Sequence, residues 1–116
     1  MILADTSVWV AHLKNASGHP ELIEALDQGV AASHPFVEGE LALAGAPTAE
    51  LLGGVVLLPM DAHREVVTFF SRIARPVRGI GWIDAHLVYS ALVNRCALLT
   101  RDGAQRRLFE SLVTTR

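Results

Sequence analysis

The sequence predicts an α/β fold, a three-layer sandwich with a central, mostly parallel sheet flanked by helices. Two observations predict it. Short apolar runs alternate along the 116-residue chain with segments of helical spacing. The runs are apolar throughout, as is typical of strands that are buried on both faces of a parallel sheet. Right-handed crossovers between such strands place helices on both faces of the sheet.

The predicted elements follow one another in a repeated β-α order. The apolar runs at 1–4, 30–33, 55–58 and 97–100 are predicted strands. The predicted helices have helical spacing and plausible caps or stops, and they cover 7–14, 20–28 (closed by Gly29), 36–45, 61–75 (stopped by Pro76), 84–95 and 104–112. A short edge strand at 113–115 is predicted to follow the last helix.

The composition indicates one domain over residues 1–116, because 51% of the residues are hydrophobic and 19% are charged. No apolar run reaches the roughly 18 to 20 residues of a membrane helix, and the N-terminus lacks a basic region followed by a long apolar stretch. We therefore expect a cytoplasmic protein that does not enter a membrane. The single cysteine, Cys96, excludes an intramolecular disulfide.

Charge is distributed unevenly along the chain. Residues 1–63 contain eight acids and one base, whereas residues 64–116 contain four acids and nine arginines. Guanidinium groups bind phosphate backbones and carboxylates bind metal ions, so one small surface could do both. Arginines on solvated helix faces would produce the same composition, so charge alone does not decide between the two interpretations.

Four acids are expected near the carboxyl ends of the strands. Asp5 follows the first strand and Asp102 follows the last, and two strands that end side by side would bring these carboxylates together. Asp84 begins a nearly all-apolar helix, and Glu40 lies within the apolar segment 36–43. Ligands bind to open α/β sheets in the crevice at this edge, so we expect the chemistry there.

Crowded carboxylates raise one another's pKa unless a cation compensates for their charge. All-oxygen ligation favours Mg²⁺ or Mn²⁺, and no nearby set of histidine and cysteine residues has zinc spacing. Each acid also has an ordinary interpretation: Asp5 and Asp84 as helix caps, Asp102 as part of a turn, Glu40 as a solvated helix residue. Their coincidence in the predicted fold favours a metal site.

Four ordered segments resemble a known family: Leu3-Ala4-Asp5-Thr6-Ser7-Val8-Trp9, His34-Pro35-Phe36-Val37-Glu38-Gly39-Glu40-Leu41-Ala42, Gly79-Ile80-Gly81-Trp82-Ile83-Asp84-Ala85-His86-Leu87 and Leu98-Leu99-Thr100-Arg101-Asp102. The chain resembles the VapC-type PIN-domain toxins of type II toxin-antitoxin systems, and the resemblance runs essentially from end to end. It implies a PIN-like fold and a metal-dependent endoribonuclease.

Carried over by position, the resemblance implies an acidic site at Asp5, Glu40, Asp84 and Asp102, supported by the hydroxyls of Thr6 and Thr100. Asp5 and Asp84 are expected to bind Mg²⁺ or Mn²⁺ directly, and Glu40 and Asp102 directly or through water. Arg101 is a candidate for holding the RNA backbone. The resemblance also implies a homodimer and a cognate antitoxin.

One alternative function stays open, a PIN-like module that binds RNA or a protein without cutting. Retention of all four acids argues against it. Histidine is a common general base, but the five histidines are scattered along the sequence. We therefore interpret each of them as a core or solvated residue: His12, His19, His34, His63 and His86.

Overall fold

The structure is a computed structural model that describes residues 1–15, 19–73 and 76–114. Four strands lie within these residues: β1 (Ile2–Ala4), β2 (Ala31–Ser33), β3 (Val56–Leu57) and β4 (Ala97–Leu99). They form one sheet in the order β3-β2-β1-β4, and every neighbouring pair is parallel. The prediction of a parallel sheet is confirmed.

Helices flank this sheet and confirm the α/β class. Those in the described residues are α1 (Thr6–Lys14), α2 (Pro20–Asp27), α3 (Pro35–Leu43), α4 (Thr48–Leu51), α5 (His63–Ser71), α6 (Trp82–Val93) and α7 (Gly103–Thr114). Over the same parts of the chain, no helix has both the length and the apolar character needed to cross a lipid bilayer.

The order of the strands reverses at β1. Strands β2 and β3 are added on one side of β1, whereas β4 pairs with its other side. The backbone N–H of Asp5 donates to the carbonyl of Leu99 at 3.0 Å, so β1 and β4 end next to each other. A reversal of strand order of this kind is where open α/β sheets bind ligands. Asp5 and the residues after β4 therefore flank the expected binding crevice.

The core fixes the elements that approach this crevice. Fully buried apolar side chains come from β1, α1, α2, α3 and α6, and they include Leu3, Val8, Trp9, Leu22, Leu41 and Leu87. Their burial removes apolar surface from water and is the main favourable contribution to folding. Because α1, α3 and α6 share this core, their positions relative to the sheet are set by packing.

Two strand predictions were wrong in part. The run 55–58 was expected to be buried on both faces, but β3 is an edge strand, and Val56 and Leu57 are 47% and 49% exposed. The strand at 113–115 is not formed, because α7 continues through Thr114, whose hydroxyl donates to the carbonyl of Glu110 at 2.8 Å. Thr115 lies outside the described residues.

Several helix boundaries also differ from the prediction. Helix α6 begins at Trp82, two residues before Asp84, and the short helix α4 was not predicted. Helix α5 ends at Ser71, and Arg75, where the prediction ended, lies outside the described residues. Asp61 does not begin α5, because Ala62 occupies the N-cap position.

A buried histidine caps α3. The Nδ1 atom of His34 accepts a hydrogen bond from the backbone N–H of Phe36 at 3.0 Å, and Pro35 fills a position where an N–H would have no helical partner. His34 is fully buried. Burial, and then the neighbouring His86, lower the pKa of His34 to about 4. His34 is therefore neutral at pH 7, with its proton on Nε2.

This buried histidine makes the fold sensitive to acid. The unfolded chain takes up a proton at this side chain near its ordinary pKa of about 6.5, whereas the folded chain does so only near pH 4. Between pH 7 and pH 4, the free energy of unfolding is expected to fall by roughly 3 kcal/mol more in the wild-type protein than in His34→Asn. Asparagine can cap α3 but does not titrate.

Denaturant unfolding at a series of pH values measures this difference. Each protein serves as its own reference at pH 7, so the cavity that the smaller side chain leaves in the core does not affect the comparison. Parallel losses of stability in the two proteins would show that protonation of His34 is not linked to unfolding.

Candidate active site

The four predicted acids come together around Asp84. Asp84 lies in the first turn of α6, which has Gly81 at its N-cap, so the interpretation of Asp84 as a cap does not apply. Burial raises the pKa of its carboxyl, and the charges of Asp5, Asp102 and Glu40 raise it further, in that order. The structure thus brings all four acids close enough to interact electrostatically.

Asp5 is nearly fully buried and is held on both carboxylate oxygens. As the N-cap of α1, it accepts hydrogen bonds at Oδ1 from the backbone N–H of Val8 at 3.1 Å and from the hydroxyl of Ser7 at 2.6 Å. Its Oδ2 accepts from the hydroxyl of Thr100, which follows β4. Asp5 is therefore a helix cap and also a member of the acidic cluster, because the start of α1 faces the crevice.

Glu40 reaches the cluster from α3. It is half-buried, and its Oε1 accepts a hydrogen bond from the hydroxyl of Thr6 at 2.6 Å. Thr6 directly follows Asp5, so the first residues of α1 orient both Asp5 and Glu40. Glu38, two residues before Glu40 on the same helix, is exposed, as its helical position predicts.

Asp102 directly precedes α7 and is held at its start. Its Oδ1 accepts from the backbone N–H groups of Ala104 at 2.9 Å and Gln105 at 3.3 Å. The backbone N–H of Asp102 donates to the hydroxyl of Thr100 at 3.0 Å. Thr100 therefore contacts Asp5 and Asp102, and both threonines that the resemblance implied are hydrogen-bonded to acids of the cluster.

Gln105 was not predicted, although its location ties the cluster together. Its side chain is fully buried, Nε2 donates to the backbone carbonyl of Asp84 at 3.2 Å, and Oε1 lies 2.8 Å from the hydroxyl of Thr100. A hydroxyl has one proton, so Asp5 and Gln105 compete for that of Thr100. Gln105 thereby links α7, the end of β4 and the first turn of α6.

A sequence signal for Gln105 was present. Asp102 and Gln105 have the spacing of a capping box, in which the glutamine returns to the backbone of the cap residue. Here the Gln105 side chain turns inward, and the backbone N–H of Asp102 donates to Thr100 instead.

Basic groups border the acids on the side of β4. Arg101 lies between Thr100 and Asp102, its side chain is exposed, and its backbone N–H donates to the hydroxyl of Ser7 at 3.2 Å. The guanidinium of Arg106 donates to the carbonyl of Thr100. A phosphate backbone that passes over the acids would meet positive charge at this rim.

The acids fit a hard divalent cation. Four carboxylates supply only oxygen ligands, which suit Mg²⁺ or Mn²⁺. Among the described residues, no three of these acids bring ligand atoms within 4.8 Å of one another. Mg²⁺ binds one or two carboxylates and keeps several of its waters, so this wider spacing suits it. Burial is the main cause of the raised pKa of Asp84 and the three neighbouring acids add to it; a bound cation would oppose both effects by stabilising the ionised carboxylate.

Comparison with known proteins identifies relatives. The chain is 40% identical over 107 residues to Ribonuclease VapC32 of Mycobacterium tuberculosis, from strain CDC 1551 / Oshkosh and from strain ATCC 25618 / H37Rv. Each match covers 88% of this chain and 85% of the relative. No family model and no solved structure matches the chain. Because the identity extends over most of both proteins, the chain belongs to the family of VapC-type PIN-domain ribonucleases.

Proposed function

We propose that this protein is a metal-dependent endoribonuclease that acts in the cytoplasm as the toxin of a toxin-antitoxin pair. One observation carries the proposal: Asp5, Glu40 and Asp102 converge on Asp84 at the point where the strand order reverses. The relatives named ribonucleases support RNA as the substrate. The site lies on one domain spanning residues 1–116.

The acids divide into two roles in this proposal. Asp5 and Asp84 would hold Mg²⁺ or Mn²⁺ directly, and Glu40 and Asp102 would do so directly or through water. When bound, the cation would lower the pKa of a water molecule and stabilise negative charge on the scissile phosphate. Glu40 or Asp102 would orient the attacking water for in-line hydrolysis, each held in place by its hydrogen bond to Thr6 or to the start of α7.

The substrate we propose is a structured RNA that is cut at a loop. Proteins read the sequence of RNA mainly where bases are unpaired, because the deep groove of an RNA duplex excludes side chains. The exposed Arg101 would bind a backbone phosphate beside the acids, since a guanidinium matches phosphate geometry.

Protein partners also belong to the proposal, namely a cognate antitoxin and a second copy of the chain. An apolar depression between α5 and the first turn of α6, lined by Phe70, Val77, Ile80 and Trp82, supports contact with a protein. Trp82 is 42% exposed, and exposed aromatic side chains are enriched at protein interfaces.

The nuclease proposal is tested by cleavage of total RNA with partner-free protein in Mg²⁺, in Mn²⁺ and in chelator. We expect fragments that require metal. Glu40→Gln and Asp5→Asn are expected to lower cleavage by about 100-fold or more, because each removes a charge from the metal site while keeping the side-chain shape. Glu38→Gln, on the same helix but exposed, is the matched control and should cleave like the wild type.

Cleavage that persists in chelator, or equal losses in the Glu40 and Glu38 variants, would contradict the proposal. Binding of RNA by folded wild-type protein without any cleavage would favour the non-catalytic module.

Gln105 is expected to act as a positioning residue. Gln105→Met keeps the buried volume but removes the hydrogen bonds to Thr100 and to the Asp84 carbonyl. Partners behind metal ligands typically contribute 10- to 100-fold to metal affinity or activity, so we expect about a tenfold lower kcat and weaker Mn²⁺ binding, with a smaller change in KM for RNA.

The other glutamine of the chain, Gln28, is exposed and bonds only locally to Glu24 in α2, so Gln28→Met is the control. Steady-state kinetics and Mn²⁺ titration by calorimetry distinguish the two variants. If Gln105→Met loses stability but keeps the wild-type kcat and Mn²⁺ affinity, Gln105 has only a structural role.

A further inference from the structure

A second group of metal-ligating side chains lies outside the set of four acids. His34 follows β2, Asp61 lies between β3 and α5, and His86 is in α6, and one ligand atom of each lies within 4.8 Å of the other two. All three are withdrawn from water: His34 is 0% and His86 2% exposed, and the Asp61 side chain is 10% exposed.

Polar atoms in this group lack hydrogen-bond partners. Within the described residues, His34 Nε2, Asp61 Oδ2 and His86 Nδ1 are buried and unpaired. His34 Nε2 and Asp61 Oδ2 are 3.8 Å apart, which is too long for a hydrogen bond. A buried polar atom without a partner is costly, and native structures contain few of them. The described residues contain seven such atoms, and three of them belong to this one group of metal-ligating side chains.

We propose that His34, Asp61 and His86 bind a divalent transition-metal ion of the Zn²⁺ class, at a site separate from the acidic cluster. Two imidazoles and one carboxylate form a common ligand set for zinc, whereas Mg²⁺ prefers oxygen alone. In a tetrahedron with bonds of 2.0–2.1 Å, ligand atoms lie about 3.3 Å apart. The His34 and Asp61 atoms therefore need to approach by about 0.5 Å from their present 3.8 Å, and the His86 atom, within 4.8 Å of the other two, by up to about 1.5 Å.

Protonation favours the ion at neutral pH. Metal binds neutral imidazole, and burial first of all lowers the pKa of His34 to about 4, so the ring is neutral at pH 7 and carries one proton, on Nε2. Burial, and then the charge of Glu65, raise the pKa of the Asp61 carboxyl. A bound cation opposes both effects on Asp61, because it stabilises the ionised carboxylate.

Binding at His34 also has a cost. Nδ1 of His34 accepts the hydrogen bond that caps α3, so the proton of the ring is on Nε2. Coordination through Nε2 requires this proton either to be lost or to move to Nδ1. If the proton moves to Nδ1, that atom can no longer accept the hydrogen bond from Phe36, so the cap of α3 is lost when the ion binds. The site is therefore expected to bind zinc more weakly than a site whose histidines already present free nitrogens to the ion.

The location of the group assigns the ion a structural role. His34 directly precedes α3, the helix with Glu40, and His86 is two residues from Asp84 on α6. Asp61 adds the segment between β3 and α5. An ion at this point would tie these three elements together, with a water molecule in the fourth position of its tetrahedron.

The test compares thermal unfolding of chelator-treated, dialysed protein with and without Zn²⁺, and measures visible absorption with Co²⁺ as the spectroscopic probe. We expect Zn²⁺ to raise the Tm of the wild type, because a ligand that binds only the folded state stabilises it. Co²⁺ is expected to produce absorption bands typical of nitrogen and oxygen ligands. Both signals should be lost when Asp61→Asn or His86→Gln is added to Asp84→Asn.

Zn²⁺ and Co²⁺ also bind carboxylate sites, so Asp84→Asn is the common background of the test: it weakens metal binding at the acidic cluster, and the signals that remain in it belong to His34, Asp61 and His86. Asp61→Asn is nearly isosteric, so it remains informative if His86→Gln does not fold. The proposal is overturned if folded Asp84→Asn shows no Zn²⁺ shift, or if the shift is equally large when Asp61→Asn is added to it. No RNA is present in this test, so its outcome is independent of the nuclease proposal.

Discussion

Mutual repulsion among four carboxylates in one crevice is the constraint on which the rest of the structure depends. Burial and the charges of Asp5, Asp102 and Glu40 all oppose ionisation of Asp84. Hydrogen bonds hold the other three acids in this arrangement: they come from helix starts at Asp5 and Asp102 and from the Thr6 hydroxyl at Glu40. In our proposal, helix capping and metal binding therefore use the same side chains.

The strand order explains why these acids meet. Because β1 and β4 are neighbours and parallel, the caps of the helices that follow them lie at the same edge of the sheet. Thr100 connects the two ends through its hydroxyl, and Gln105 extends the connection to α6. Helices α1, α3 and α6 share one core, and this packing places Glu40 on α3 and Asp84 on α6 at the same edge of the sheet. The geometry of the candidate site is thus a consequence of topology and packing together.

The sequence predicted the class of the fold and the neighbourhood of the acids because both depend on local signals: apolar runs, caps and family-like motifs. It did not predict the exposure of β3, which depends on strand order, or the extent of α7, where Val113 and Thr114 favour a strand locally but continue a helix. Gln105 and the group of His34, Asp61 and His86 were missed because side chains distant in sequence meet only in the folded chain.

Location of Mn²⁺ by anomalous diffraction, in crystals of partner-free protein soaked with the ion, tests the central claim most directly. Mn²⁺ suits oxygen ligands and can be distinguished from water by its anomalous signal. The account predicts a peak bounded by Asp5 and Asp84, with Glu40 and Asp102 in contact directly or through water. Crystals with ordered acids but no peak among them at saturating Mn²⁺, or with a peak only elsewhere, would contradict it.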